Sequence, residues 1–153
     1  MRDLSKRLGD NNNRIREKVE EVLLSMASHP SFEVNQIVQI CTRPQKSAQA
    51  NSVKAIFGRT KLLTDILQKN PPSSSGINTQ SALEFGLSGY KHQNGEIRNQ
   101  AFHVIMECYK DMGQKVRGSF QGLRQAQIDM LEAGFAEMEG SPKKNSPTAK
   151  GKR

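Results

Sequence analysis

Side chains able to do chemistry are few and scattered in this sequence. His29, His92 and His103 have no cysteine or carboxylate partners at the spacing a metal site needs, and His103 falls in a helical stripe. Cys41 and Cys108 each sit among apolar neighbours, where a reduced cysteine acts as a small core residue rather than a reactive thiol. Gly86-Leu87-Ser88-Gly89 lies within a helical pattern and lacks the strand that a phosphate-binding glycine turn requires. The nucleophile elbow Gly-x-Ser-x-Gly does not occur. No enzyme, cofactor or metal is therefore expected. The remaining polar candidates are cations and amides grouped around short loops, and their value depends on what holds those loops.

Charge is uneven along the 153 residues. The formal net charge is +8, but Lys143, Lys144, Lys150, Lys152 and Arg153 lie in an acid-free tail, and removing those five leaves residues 1–140 at +3. A mildly basic body with a strongly basic tail points to an acidic surface, which could be tubulin, nucleic acid or an anionic membrane. With 35% hydrophobic residues and a mean hydropathy of -0.68, the chain supports one modest core. No apolar run approaches the length of a membrane span and no signal-peptide core follows Met1, so a cytoplasmic, non-membrane protein is expected.

Apolar residues recur at three- and four-residue spacing throughout, which places them on one face of a helix. Ile15, Val19, Val22, Leu23 and Met26 form one stripe, ended by His29-Pro30; Val34, Ile37, Val38 and Cys41 form another, stopped before Pro44. A longer helix is expected from about Ser47 to Gln68, with Val53, Ile56, Phe57, Leu63, Ile66 and Leu67 inward. Residues 71–76 have linker composition. Further helices are expected around Ala82 to Tyr90, around Ile97 to Cys108, and around Ile128 to Phe135, the last ending near Gly140.

Residues 12–28 laid over residues 94–110 match without a gap: Asn12, Ile15, Arg16 and Val22 meet Asn94, Ile97, Arg98 and Val104. The separation of 82 residues is two periods of about 41, within the range of HEAT repeats. The middle unit fits less well, and no arginine occupies the position equivalent to Arg16. Asn12 and Asn94 are expected as helix N-caps. Arg16 and Arg98 are expected to be structural, bridging to an acid or a loop carbonyl. The fold class is all-α: a HEAT-type α-solenoid of antiparallel helix pairs over residues 1–140, with a C-terminal helix and a disordered basic tail over 141–153. Ser141-Pro142 and Ser146-Pro147 in that tail offer phosphorylation points.

Residues 8–16, Leu-Gly-Asp-Asn-Asn-Asn-Arg-Ile-Arg, and 92–98, His-Gln-Asn-Gly-Glu-Ile-Arg, resemble the turns between paired helices of TOG domains, the HEAT-repeat modules that bind tubulin. Residues 54–67 are most similar to the TOG domain of the ciliary-tip centrosomal protein family. The likeness covers about residues 4–113. The chain has no tryptophan, which such domains commonly place in their first tubulin-facing turn, and it has fewer repeats than they usually contain. It is accordingly expected to be the C-terminal part of such a domain, with Met1 to Leu8 as the end of a first helix, or a shortened relative.

The resemblance implies tubulin or microtubules as partner, other ciliary or centrosomal proteins as further partners, and a place in the cytoskeleton, cilium or centrosome. It also implies that the turns within each repeat carry binding, here about Gly9 to Arg14, Arg43 to Ser47 and Lys91 to Gly95. Arg14, Arg43, Lys46 and Lys91 would meet acidic side chains, while Asn13, Gln45, His92 and Asn94 would give neutral hydrogen bonds. Two other readings compete. A generic scaffold would grip a peptide in its groove. A basic nucleic-acid-binding repeat is disfavoured by the lack of aromatic residues placed to stack on bases.

Overall fold

The helices begin where a short polar side chain can accept from the unpaired amides of a first turn. Asn12 accepts from Arg14 N–H, Ser52 from Ala55, Asn78 from Ser81, and Asn94 from Glu96 and Ile97. The computed structural model describes residues 2–140; Met1 and the tail expected over 141–153 lie outside the described residues. Within them the order is α1 (Arg2–Arg7), α2 (Asn13–Ser28), α3 (Val34–Thr42), α4 (Val53–Lys69), a single-turn α5 (Pro72–Ser75), α6 (Thr79–Tyr90), α7 (Gly95–Met112), a 3₁₀ segment (Gly113–Ser119) and α8 (Gln125–Gly140). No strand occurs among the described residues. Both α2 and α3 end just ahead of a proline, Pro30 and Pro44, as the extended preference of pre-proline residues requires.

The chain divides into two compact units, one up to Ser119 and one from Phe120. In the first, α1 and α2, α3 and α4, and α6 and α7 are consecutive neighbours that pack together, and α4 also packs on α2, α6 and α7. Leu23, Ile37, Leu62, Leu63, Ile66, Leu83, Ile97 and Ile105 are fully buried. Across the repeats, Lys61 of α4 donates to Glu20 of α2, and this bond together with the nearby carboxylate charge raises the Lys61 pKa against the effect of its partial burial. Asn35 accepts from the Asn78 N–H at 3.0 Å, and Thr79 Oγ1 donates to Asp111 at 2.7 Å. In the second unit Phe120 stacks on Phe135 with ring centroids 6.3 Å apart.

Several sequence expectations need correction. The helix expected from Ser47 starts at Val53, because Ser47, Asn51 and Ser52 use their side chains on local backbone: Ser47 Oγ accepts from Ala50, Asn51 Nδ2 donates to the carbonyls of Gln45 and Ser47, and Ser52 caps. Of the residues expected inward on α4, Leu63, Ile66 and Leu67 are buried, Ile56 and Phe57 are half-buried, and Val53 at the first position is 47% exposed. Val22, on the α2 stripe, also lies at the surface. The segment expected as a linker contains the one-turn α5, started by Pro72 and ended by Gly76 in the left-handed region at φ 76°.

Small residues set the approach of α6 to α7. A Cβ at Gly86 would stand 2.9 Å from Val104 Cγ1 and 3.3 Å from Ile105 Cγ1, and both neighbours are fully buried. Gly86→Val should therefore lower unfolding stability by about 1–3 kcal/mol through overpacking, measurable as a fall in the urea midpoint with an unchanged slope.

Cys41 and Cys108 are free and wholly buried. Burial pushes both thiols up to about 12, and the carboxylates of Asp111 and Glu107 add to the effect at Cys108. The folded state holds both protons, whereas an unfolded chain begins to lose them near the ordinary value of 9.0. This contribution to stability is complete below that pH and falls as pH rises from 9 towards 12. At pH 8 the native protein should leave both thiols unreacted with a disulfide reagent, and both should titrate once guanidinium unfolds it.

Candidate functional site

Three loops join the helices of each pair, and each is closed by its own residues. In the first, Asp10 Oδ1 accepts from the Asn12 N–H at 2.9 Å, and Asp10 Oδ2 accepts from Arg7 at 3.1 Å. The backbone bond from Asn12 is the main cause holding the Asp10 carboxyl below its ordinary pKa, opposed by slight desolvation. Arg16, one turn into α2, then reaches back to the Asp10 carbonyl at 2.5 Å and the Asn11 carbonyl at 3.3 Å.

The third loop repeats this arrangement with different chemistry at its first position. His92 Nδ1 accepts from the Asn94 N–H at 3.0 Å, where Asp10 uses a carboxylate oxygen. Arg98 donates to the carbonyls of His92 at 2.8 Å and Gln93 at 2.6 Å, six and five residues before it, the same offsets as in the first loop. The repeated Asn and Arg thus form a cap and a clamp on one loop.

The middle loop, between α3 and α4, is longer and is clamped from a deeper position. Arg59, 4% exposed, donates from Nη2 to the Ala50 carbonyl at 2.9 Å and from Nη1 to the carbonyls of Cys41 and Arg43 at 3.5 Å each. Its guanidinium lies 5.6 Å from the Phe85 ring centroid. Counted from the cap, Arg59 stands one helical turn beyond the place of Arg16 and Arg98. Repeat alignment misses it for that reason. The available signal was an arginine on the buried stripe of α4, between Ala55 and Leu62.

The loops lie along one edge. A cavity of about 490 Å³ is bordered by Arg43 and Gln45 of the middle loop and His92 of the third. Another, of about 340 Å³, is bordered by Asn13 and Arg16 beside the first loop and by Asn94 and Glu96 at the third. Lys54 adds a link by donating to Asn11 Oδ1 at 3.3 Å. The backbone approach is also close, since a Cβ at Gly9 would meet Ala55 Cβ at 2.6 Å.

The residues expected to make contacts fall into two groups. Arg14, Arg43, Lys46 and Lys91 are exposed. The neutral group is engaged internally: Asn13 accepts from Arg16 at 2.7 Å and donates to Glu17 at 2.7 Å, Gln45 donates to the Arg43 carbonyl at 3.3 Å, and the acceptors of His92 and Asn94 hold backbone amides. Lys54 is an exposed cation at this edge that the sequence reading did not include. Among the described residues, no three His, Cys, Asp or Glu side chains are grouped to hold a metal, and no helix is long and apolar enough to cross a membrane.

No family model and no curated protein matches the chain. Solved structures do. The TOG domain of human Cep104 superposes with a TM-score of 0.73 at 21% identity, covering 88% of this chain and 53% of that one. A second structure of the CEP104 TOG domain gives 0.72 at 17% identity, covering 88% and 54%. The N-terminal domain of MAST/Orbit gives 0.72 at 18% identity, covering 89% and 60%. The fold is that of TOG domains, a HEAT-type helical solenoid, and the chain spans between 53% and 60% of the length of these structures.

The clamps predict unequal mutational costs. Arg59→Ala should lose about 2–3 kcal/mol of stability, because it leaves buried carbonyls without donors. Arg59→Lys should recover little of this, since an ammonium cannot reproduce the planar fork. Arg98→Ala, at a half-exposed position whose carbonyls water can reach, should cost about 1 kcal/mol. Chemical denaturation of the three variants checks the order.

Proposed function

We propose that the chain is a non-catalytic module that binds tubulin or microtubules through the loop edge of its solenoid. The observation that carries this reading is a TOG-type fold with exposed Arg14 in the first turn of α2, Arg43 and Lys46 in the middle loop and Lys91 at the end of α6, all at or beside the loops of one edge. Cations held on rigid loops suit an acidic protein surface: they speed encounter and fix orientation with little rearrangement. A role in the cytoskeleton, at the cilium or centrosome and with other proteins there, draws its support from the likeness to Cep104. A scaffold that holds a peptide in its groove is the second reading, favoured by the two cavities opening beside the loops.

The test is co-elution with soluble tubulin and cosedimentation with microtubules. Reversing Arg14→Glu together with Lys91→Glu should weaken binding roughly two- to thirtyfold, as each exposed charge contributes about 0.2–1 kcal/mol. Helicity should be unchanged and the loss should shrink as salt rises. A chain ending at Gly140 should still bind. Binding that follows residues 141–153 and ignores the loop reversals would sink the loop-edge reading.

A further inference from the structure

Arg59 holds a buried positive charge with no carboxylate within 4.0 Å among the described residues. Its Nε is buried and has no hydrogen-bond partner, and both Nη1 contacts sit at the 3.5 Å limit. Only the Nη2 bond to Ala50 is of ordinary length. A loop clamp accounts for the carbonyl contacts but not for the unused Nε, and buried unpaired donors are rare because each costs its desolvation. Burial also pulls the guanidinium pKa down, a sign that charge is under-compensated there.

The same side chain lines the cavity of about 490 Å³ between the middle loop and α6, within the size range of binding pockets. Gln45, Asn51 and Ser88 supply further polar groups on its wall, and Ile56 and Phe85 supply apolar surface. Its lining carries two guanidinium groups, Arg43 and Arg59, against one carboxylate, Glu84. The cavity is therefore positive, with the planar Arg59 donor among its lining groups and apolar surface from Ile56 and Phe85 beside it. A carboxylate on a short methylene stem matches this better than a bare anion, since its two oxygens suit the edge of a guanidinium.

We propose that this cavity receives a glutamate or aspartate side chain from an acidic peptide segment, with Arg59 as the pairing group. The inference goes beyond the loop-edge reading and does not require it. The test is an NMR titration of the ¹⁵N-labelled full chain with a blocked hexaglutamate peptide, following the Arg59 Nε–H and the amides of Gln45 and Ser88. Saturable movement of these signals is expected with hexaglutamate, and none with blocked hexaglutamine. Ser88→Trp fills the mouth from an exposed position and should keep the thermal midpoint while weakening the peptide roughly tenfold or more.

Movement confined to residues 141–153 or to the exposed loop cations overturns the proposal. So does inorganic phosphate moving Arg59 as strongly as the peptide, or unchanged affinity in a folded Ser88→Trp. Tubulin co-elution run in parallel separates the two readings. Lost peptide shifts with intact tubulin binding remove only the cavity, and cavity shifts without tubulin binding remove only the loop-edge function.

Discussion

The edge of this solenoid depends on guanidinium groups reaching back from a helix to the carbonyls of the loop before it. A short loop between two helices leaves carbonyls that neither helix can satisfy, and the end of the first helix adds more. A planar cation with several donors takes two of these at once, so one side chain fixes both the path of the loop and its angle to the following helix. Arg16 and Arg98 do this across five and six residues, half-exposed and tolerant of water. Arg59 does it across 9, 16 and 18 residues from a buried position, because the loop it serves is longer and folds down over α4. Burial of that charge is what the longer loop requires.

Close backbone contact converts these local clamps into a continuous edge. Gly9 lies against Ala55, and a Cβ at Gly58 would come within 2.9 Å of the Leu8 carbonyl. The first loop is therefore seated on α4 itself, where larger side chains would hold it away. Lys54 then donates to Asn11 from the first turn of the same helix. A displacement of α4 would move the first loop through these contacts and the middle loop through Arg59.

Much of this was legible in the sequence where the determining interaction is local. Asn12 and Arg16, repeated as Asn94 and Arg98, cap and clamp within six residues, so the pattern survives as a motif that can be aligned by eye. The helix stops before Pro30 and Pro44 are equally local. Arg59 was not legible, because its partners lie up to 18 residues away and its distance from the cap differs by a turn. The start of α4 was misplaced because Ala48 and Ala50 favour a helix, whereas the side chains of Ser47 and Asn51 bind backbone and hold a loop. Val53 and Val22 continue apolar stripes yet remain exposed, since periodicity records one face of a helix and not how far the neighbouring helix extends along it. The internal bonds of the neutral residues Asn13, Gln45, His92 and Asn94 were likewise not readable from spacing. His92 and Asn94 are drawn to nearby backbone amides, and Asn13 to the Arg16 and Glu17 side chains.

That internal engagement bears on how the edge can act on a partner. Had Asn13, His92 and Asn94 been loose, each would lose rotamer freedom on binding, a cost of about 0.5–1.5 kcal/mol for a side chain immobilised at an interface. Here the amides and the imidazole are already held: Asn13 by the Arg16 and Glu17 side chains, and His92 and Asn94 by backbone amides of the third loop and the first turn of α7. The free energy of ordering the loop is met during folding, largely by the clamps. The exposed cations then stand on a fixed frame. Such an edge suits recognition in which charge placement sets encounter and register.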